Sequence, residues 1–346
     1  INKQGDYNMN KLTKIGVSAL CGSLAAVASA NAGEMTVSGS ANVTYTTKEN
    51  AVTGGPLGIT TGMTFAGSGE LDNGNAVAVN IYHDDKNAFS SADVSVDVAG
   101  IGKFSVDQGG GTGLDRLDDK TPTAWEESYD AGLGTKIVTA TGVGASTDIE
   151  LALSGDLTPE GMSVYLSYAP EAGAGKVNDK SVEGVDNRHT GRGYDIVIEH
   201  SGMADGLNVF AGISNIDDET GGNDRSQKVL GFTYAAGPIT VGVQTLRDEL
   251  GSDTHSFDYY DNMAYGVSFL VNDNLSVSYG QHKSERAKDG SANTGKVELK
   301  ASSIQAAYTM GGATFKIASS SADNASYSTA ASNDYDVNVV AMSLAF

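Results

Sequence analysis

One cysteine, five prolines, one tryptophan and five histidines in 346 residues leave several kinds of protein little to be built from. With Cys21 alone, neither a disulfide framework nor a cysteine-rich metal site can form. Cationic side chains are also scarce. Twenty-two Lys and Arg stand against 43 Asp and Glu, a formal net charge of −21 that repels phosphates and excludes nucleic acid as a partner. Long apolar runs are missing except near the N-terminus, and mean hydropathy is −0.21, which excludes a bundle of membrane helices that each need ~20 apolar residues. Catalytic signatures are missing too: there is no Gly-x-Ser-x-Gly or His-Glu-x-x-His, and His83, His189, His200, His255 and His282 are scattered. The glycines from Gly109 to Gly113 lack the following Lys of a phosphate-binding loop. Nothing here reads as an enzyme.

What is present is glycine, 44 residues without a Gly-X-Y period, together with much Val, Thr, Ser and Tyr, a composition of short strands and turns. Near the start, Met9 is followed by Lys11 and Lys14, an apolar stretch from Ile15 to Ala28, and Ala30 and Ala32 in an Ala-x-Ala arrangement. That order is the one of a secretory signal, residues 9–32, cleaved between Ala32 and Gly33; a short buried helix or anchor is the competing reading. Residues 1–8 read as an extension upstream of the initiator Met9. Leu20, not a small residue, precedes Cys21, so lipidation is not expected. The remaining domain, 33–346, has no cysteine and must be stabilised by backbone hydrogen bonds or a large core.

From Met35 onward apolar and polar residues alternate with a period of two. Examples are Val77-Val79-Ile81, Ile149-Leu151-Leu153, Tyr194-Ile196-Ile198, Met263-Tyr265-Val267-Phe269 and Val340-Met342-Leu344-Phe346. Sixteen such segments are separated by connections of alternating length. The short ones, 72–74, 99–102, 155–161, 201–206, 236–237, 272–274 and 310–312, carry Gly, Asn and Asp. The long, polar ones are 47–58, 85–90, 109–147, 170–192, 216–226, 248–260, 283–295 and 321–334. Turns on one rim and loops on the other describe an all-β, 16-stranded antiparallel transmembrane β-barrel with its longest loop after strand 5. A pair of β-sandwiches also alternates, but its solvated face would carry Lys and Glu freely; here Ser163, Ser167, Gly231, Thr233, Gly266, Ser268, Ser276 and Ser278 make a small, polar face suited to a lumen.

The signal-like segment, the terminal Phe346 with Leu344, Met342 and Val340 alternating before it, the strand rhythm and the long loop after the fifth strand together resemble the general diffusion porins of Gram-negative outer membranes, most of all the alphaproteobacterial type. The resemblance implies an outer-membrane location, a homotrimer, and recognition of Phe346 by the outer-membrane assembly machinery. It also implies that loop 109–147 folds into the barrel as a constriction. That loop carries Asp115, Arg116, Asp118, Asp119, Trp125, Glu126, Glu127 and Asp130. A surface loop with merely solvated acids is the alternative.

Alternation turns Glu70, Asp93, Asp97, Asp107, Glu150, Asp195 and Glu199 into the lumen against Lys103 and Lys316. An acidic, water-filled waist favours cations. Lys48 and Lys86 are expected in loops, and Arg188, Arg192, Arg225, Arg247 and Arg286 could reach inward from loops. Tyr45, Tyr168, Tyr194, Tyr234, Tyr265, Tyr279, Tyr308 and Phe346 fit interfacial girdles in contact with membrane lipid. Asp84-Asp85 and Asp217-Asp218-Glu219 could hold Ca²⁺ or bridge lipid headgroups, although neither has EF-hand spacing and solvated charge is the simpler reading; no other cofactor is expected. The expected function is passive diffusion of ions and small hydrophilic solutes with a preference for cations. A substrate-specific channel and a surface β-rich adhesion or envelope protein without a pore are the alternatives.

Overall fold

The computed structural model describes residues 34–49, 55–85, 91–108, 110–118, 120–172, 190–219, 222–251, 257–287 and 296–346. The signal-like segment with Ala32 and Gly33 lies outside the described residues, as do Lys86, Asp119, Arg188, His189 and His255.

Sixteen strands form where the alternation ran: β1 Glu34–Lys48, β2 Leu57–Glu70, β3 Ala76–Asp84, β4 Ser91–Val98, β5 Gly102–Gln108, β6 Thr147–Leu153, β7 Met162–Ala169 and β8 Thr190–His200. They continue as β9 Leu207–Asp218, β10 Arg225–Ala236, β11 Ile239–Glu249, β12 Tyr259–Asn272, β13 Leu275–Ala287, β14 Val297–Met310, β15 Ala313–Asp323 and β16 Tyr335–Ala345. Each pairs antiparallel with its neighbour in sequence, and β16 returns to β1 to close the barrel. Closure satisfies every strand edge, which matters because an unpaired backbone amide or carbonyl in hydrocarbon costs several kcal/mol. At the seam, Gly39 N–H donates to the Phe346 carbonyl at 2.8 Å and Phe346 N–H donates back to Gly39 at 3.0 Å.

The two faces separate by residue parity. Val94, Val106, Ile149, Leu166, Ile196 and Ile213 lie exposed on the outer face, the arrangement of a surface solvated by lipid rather than water. Tyr45, Tyr168, Tyr194, Tyr234, Tyr279, Tyr308 and Phe346 are exposed on that face as expected. Tyr265 is half-buried there, donating its hydroxyl to Gln281.

The strands run further toward the loop rim than the alternation suggested. Residues assigned to loops 248–260, 283–295 and 321–334 continue β11, β13 and β15 and begin β12 earlier. Their outer side chains are charged, so the apolar signal stops while the ladder does not. Cross-strand ion pairs occupy those rows instead: Arg247 with Asp261 at 2.7 Å, Lys296 with Glu285 at 2.6 Å and Lys300 with Asp323 at 3.6 Å. Such charges are tolerable only beyond the hydrocarbon, since Lys or Arg at the bilayer midplane costs about 2–4 kcal/mol.

Candidate pore constriction

The β5–β6 loop turns inward and lies along the inside of the barrel. Its first leg forms a 3-10 turn, Gly113–Leu117. Thr112 donates its hydroxyl to Asp148, and Gly113 N–H donates to Glu150 at 2.8 Å. Leu114 N–H donates to Asp195 at 2.7 Å, and Gln244 donates to the Leu117 carbonyl at 2.6 Å. Further along, Ala124 N–H meets Ser278, Gln305 accepts from Trp125 and Glu126 and donates to the Glu126 carbonyl, and Trp125 Nε1 donates to the Ile317 carbonyl. At the far end Lys48 and Tyr335 both donate to the Leu133 carbonyl, at 3.0 and 2.9 Å. The return leg is held by Asn262 at Val138, by Gln227 at Thr141 and Gly142, and again by Asp195 at Val143. The loop therefore follows the wall from β6 round to β1, and the passage is bounded by the loop on one side and by β2–β5 on the other.

Apolar packing supports the same path. Leu114, Leu117 and Ala140 of the loop bury against Val197, Phe210, Val229 and Leu246, which point inward from β8–β11. The far end, Ala131 and Leu133, packs with Leu299, Tyr327 and Val337. An inward Phe or Leu in an otherwise small, polar wall is the sequence signal that something covers it. Glycines admit the loop where it passes closest: a Cβ on Gly242 would approach Pro122 Cδ at 2.5 Å, and one on Gly266 the Pro122 carbonyl at 2.6 Å.

The charged residues divide into three groups. Glu150, Asp195 and Glu199 face inward as the alternation implied, but the loop covers or engages them. Glu150 is 6% exposed and paired with Arg116, which also stacks on Tyr165. Glu199 pairs with Lys120 at 3.2 Å, and Asp195 is sealed at 1% exposure. A second group lines the uncovered wall. Asp93 accepts from Asn80 and from Tyr82 at 3.0 Å, and Asp97 is registered against Lys103; Asp107, opposite Asp93 on β5, is buried instead. The third group is on the loop: Glu126, Glu127 and Asp130, whose carboxylate oxygens lie within 4.8 Å of one another and could receive a cation. Lys316 sits beside them, 5.2 Å from the Trp125 ring. Burial, and then the adjacent Glu127, push the Glu126 carboxyl up to about 8, and burial also raises Asp130. Asp115 caps Gly111 N–H at 2.7 Å, and its carboxyl is raised by burial. Asp118 closes the 3-10 turn, its N–H donating to the Asp115 carbonyl.

Several expectations change. Lys48 is not in a loop; it ends β1 and points inward, bonded to Leu133 and lying over the Tyr335 ring. The four described arginines expected in loops all belong to strands. Arg225 and Arg286 face inward, held by the buried Asp248 and by the Tyr327 carbonyl, whereas Arg192 and Arg247 are on the outer face with Asp217 and Asp261. Strand parity decides those directions, and the loop assignment had hidden it. In the two acidic runs, Asp85 accepts from Thr61 N–H and Asp217 is paired with Arg192. Asp148, Lys120, Gln227, Gln244 and Gln305 were missed. Parity places Asp148 and the three glutamines inward, and long amides on a wall of Ser and Gly were a readable sign of a bound backbone.

Below the loop, toward the short-turn rim, a chamber of about 640 Å³ is lined by Lys120, Pro122, Glu199, Asn208, Ser268 and Ser276. A path bounded by polar side chains, narrowed by an anchored loop, carries water and solute through an apolar-faced barrel.

No curated protein matches the chain by sequence. Among solved structures it is similar to OmpT, an outer membrane protein of Vibrio cholerae, at 12% identity and a TM-score of 0.66 over 92% of this chain and 99% of that one. It is also similar to OmpF of Salmonella typhi in complex with daunomycin, at 12% identity and a TM-score of 0.64 over 93% and 100%. A mutant of the Rh. blastica porin matches at 17% identity with a TM-score of 0.57 over 90% and 100%. These likenesses concern the fold. The profile of the Gram-negative porin family matches residues 16–302, and the chain belongs to that family: it is an outer-membrane pore for passive diffusion, not an enzyme.

Proposed function

We propose that the channel passes small hydrophilic solutes and ions with a preference for cations. The observation carrying this is acid on both sides of the passage: Glu127 and Asp130 on the loop, joined by Glu126 as pH passes through about 8, and Glu70, Asp93 and Asp97 on the β2–β5 wall. Two of the loop's three cations do little to offset them, because Arg116 and Lys120 are engaged by Glu150 and Glu199, which leaves Lys136. Carboxylates around a narrow aqueous waist lower the energy of a passing cation and raise that of an anion. The test is the reversal potential of the refolded protein in a planar bilayer under a KCl gradient. A sign favouring potassium is expected, and one favouring chloride would sink the reading. Solute-dependent, saturable block of the current would instead indicate a substrate-specific channel.

The same proposal includes export by the segment 9–32 with cleavage before Gly33, use of Phe346 by the assembly machinery, and association of three barrels in the outer-membrane lipid. The outward Phe346 and the apolar outer face support the last two.

A further inference from the structure

We propose that Asp195 is a positioning residue that holds both legs of the constriction loop, and with them the width of the waist, through hydrogen bonds rather than as an ion-selecting charge. This rests on the channel reading above. Asp195 Oδ2 accepts from the N–H of Leu114 at 2.7 Å on the outgoing leg and from that of Val143 at 3.0 Å on the returning leg. The other anchors near the root act on one leg each: Glu150 and Gln244 on the first, Gln227 on the second. Among the described residues Asp195 is the side chain that joins the two.

The backbone is shaped around that carboxyl. Gly113 and Gly142 flank the two donors, both at φ +51°, and a Cβ on either would collide with Asp195 Oδ2. Positive φ and close approach together restrict both positions to glycine. Leu114 and Val143 are themselves fully buried, so neither N–H could find water in place of the carboxylate. A buried donor without an acceptor is expensive, and removing Asp195 would orphan two at once. Freed legs would move relative to the β2–β5 wall, and the gap between that wall and the loop is the aperture.

The variants Asp195→Asn and Asp195→Ala separate geometry from charge. Asparagine keeps an oxygen that can accept both N–H groups and turns its amide toward Ser214, the cross-strand neighbour, whose hydroxyl can accept. In planar bilayers Asp195→Asn is expected to retain the wild-type unitary conductance and reversal potential, and Asp195→Ala to lose the single open level to fluctuating sublevels. A reversal potential shifted as far toward chloride by Asn as by Ala, or a steady wild-type level in Asp195→Ala, would overturn the proposal. Amide hydrogen exchange on the unmodified refolded chain tests the clamp without any pore measurement. Leu114 and Val143 are expected to exchange far more slowly than the exposed loop residues Gly134 and Lys136, and equal rates would overturn it. A wild-type protein that forms no pore would sink the channel reading instead, leaving the exchange result to decide the clamp.

Discussion

Glu126 and Glu150 are both carboxylates turned toward the inside of a barrel, yet their surroundings give them different work. Glu126 is largely buried and has a second carboxylate, Glu127, beside it, and burial first, then Glu127, raise its carboxyl from 4.5 to about 8. Its folded-state value lies above its ordinary one, so the fold disfavours ionisation, and this residue's contribution to stability falls as pH rises from about 4.5 toward about 8. Selectivity should move the other way. Cation preference, read from reversal potentials, is expected to rise as pH passes through about 8, and Glu126→Gln is expected to flatten that rise. Glu150 has a cation instead. Removing Arg116 would leave it buried without a cation, held by the Gly113 N–H and the Ser167 hydroxyl, and Arg116→Ala is expected to cost up to about 3–5 kcal/mol in unfolding by urea. In the double variant with Glu150→Gln much of that loss should return. Alternation in sequence revealed that Glu150 points inward, but not that a loop residue 34 positions away covers it.

Strands and loops were legible to different depths. All sixteen strands could be found because lipid on one face and water on the other impose a period of two, and that period survives any choice of particular residues. Their loop-side ends were not legible, since beyond the hydrocarbon the outer face becomes charged and the contrast vanishes; Arg247, Lys283 and Glu285 all lie there. The seam between β1 and β16 makes a prediction of its own. A Cβ on Gly39 would stand 2.6 Å from the Phe346 ring, so Gly39→Val should push the terminal ring from its place against β1. Overpacking of this kind typically costs about 1–3 kcal/mol. The expected result is a lower temperature for the heat-induced mobility shift on gels, and an unchanged shift would show that the ring can repack without loss.

For the whole molecule, two expectations concern the mature, assembled protein. Mass spectrometry of material purified from outer membranes should find Gly33 at the N-terminus, and a start elsewhere would refute the proposed cleavage site. Unheated samples should migrate as an oligomer about three times the monomer's mass and collapse on heating, whereas a monomer before heating would count against the trimer. The sequence by itself determined the barrel, its strand number, which rim carries the loops and which parity faces water, because each follows from local alternation and turn chemistry. Only the tertiary structure decided which inward acids meet the passage and which lie beneath the loop. That division arises from contacts between the β5–β6 loop and strands as distant as β1 and β16, and a charge at lumen parity reads the same along the chain whether water or a folded loop lies against it.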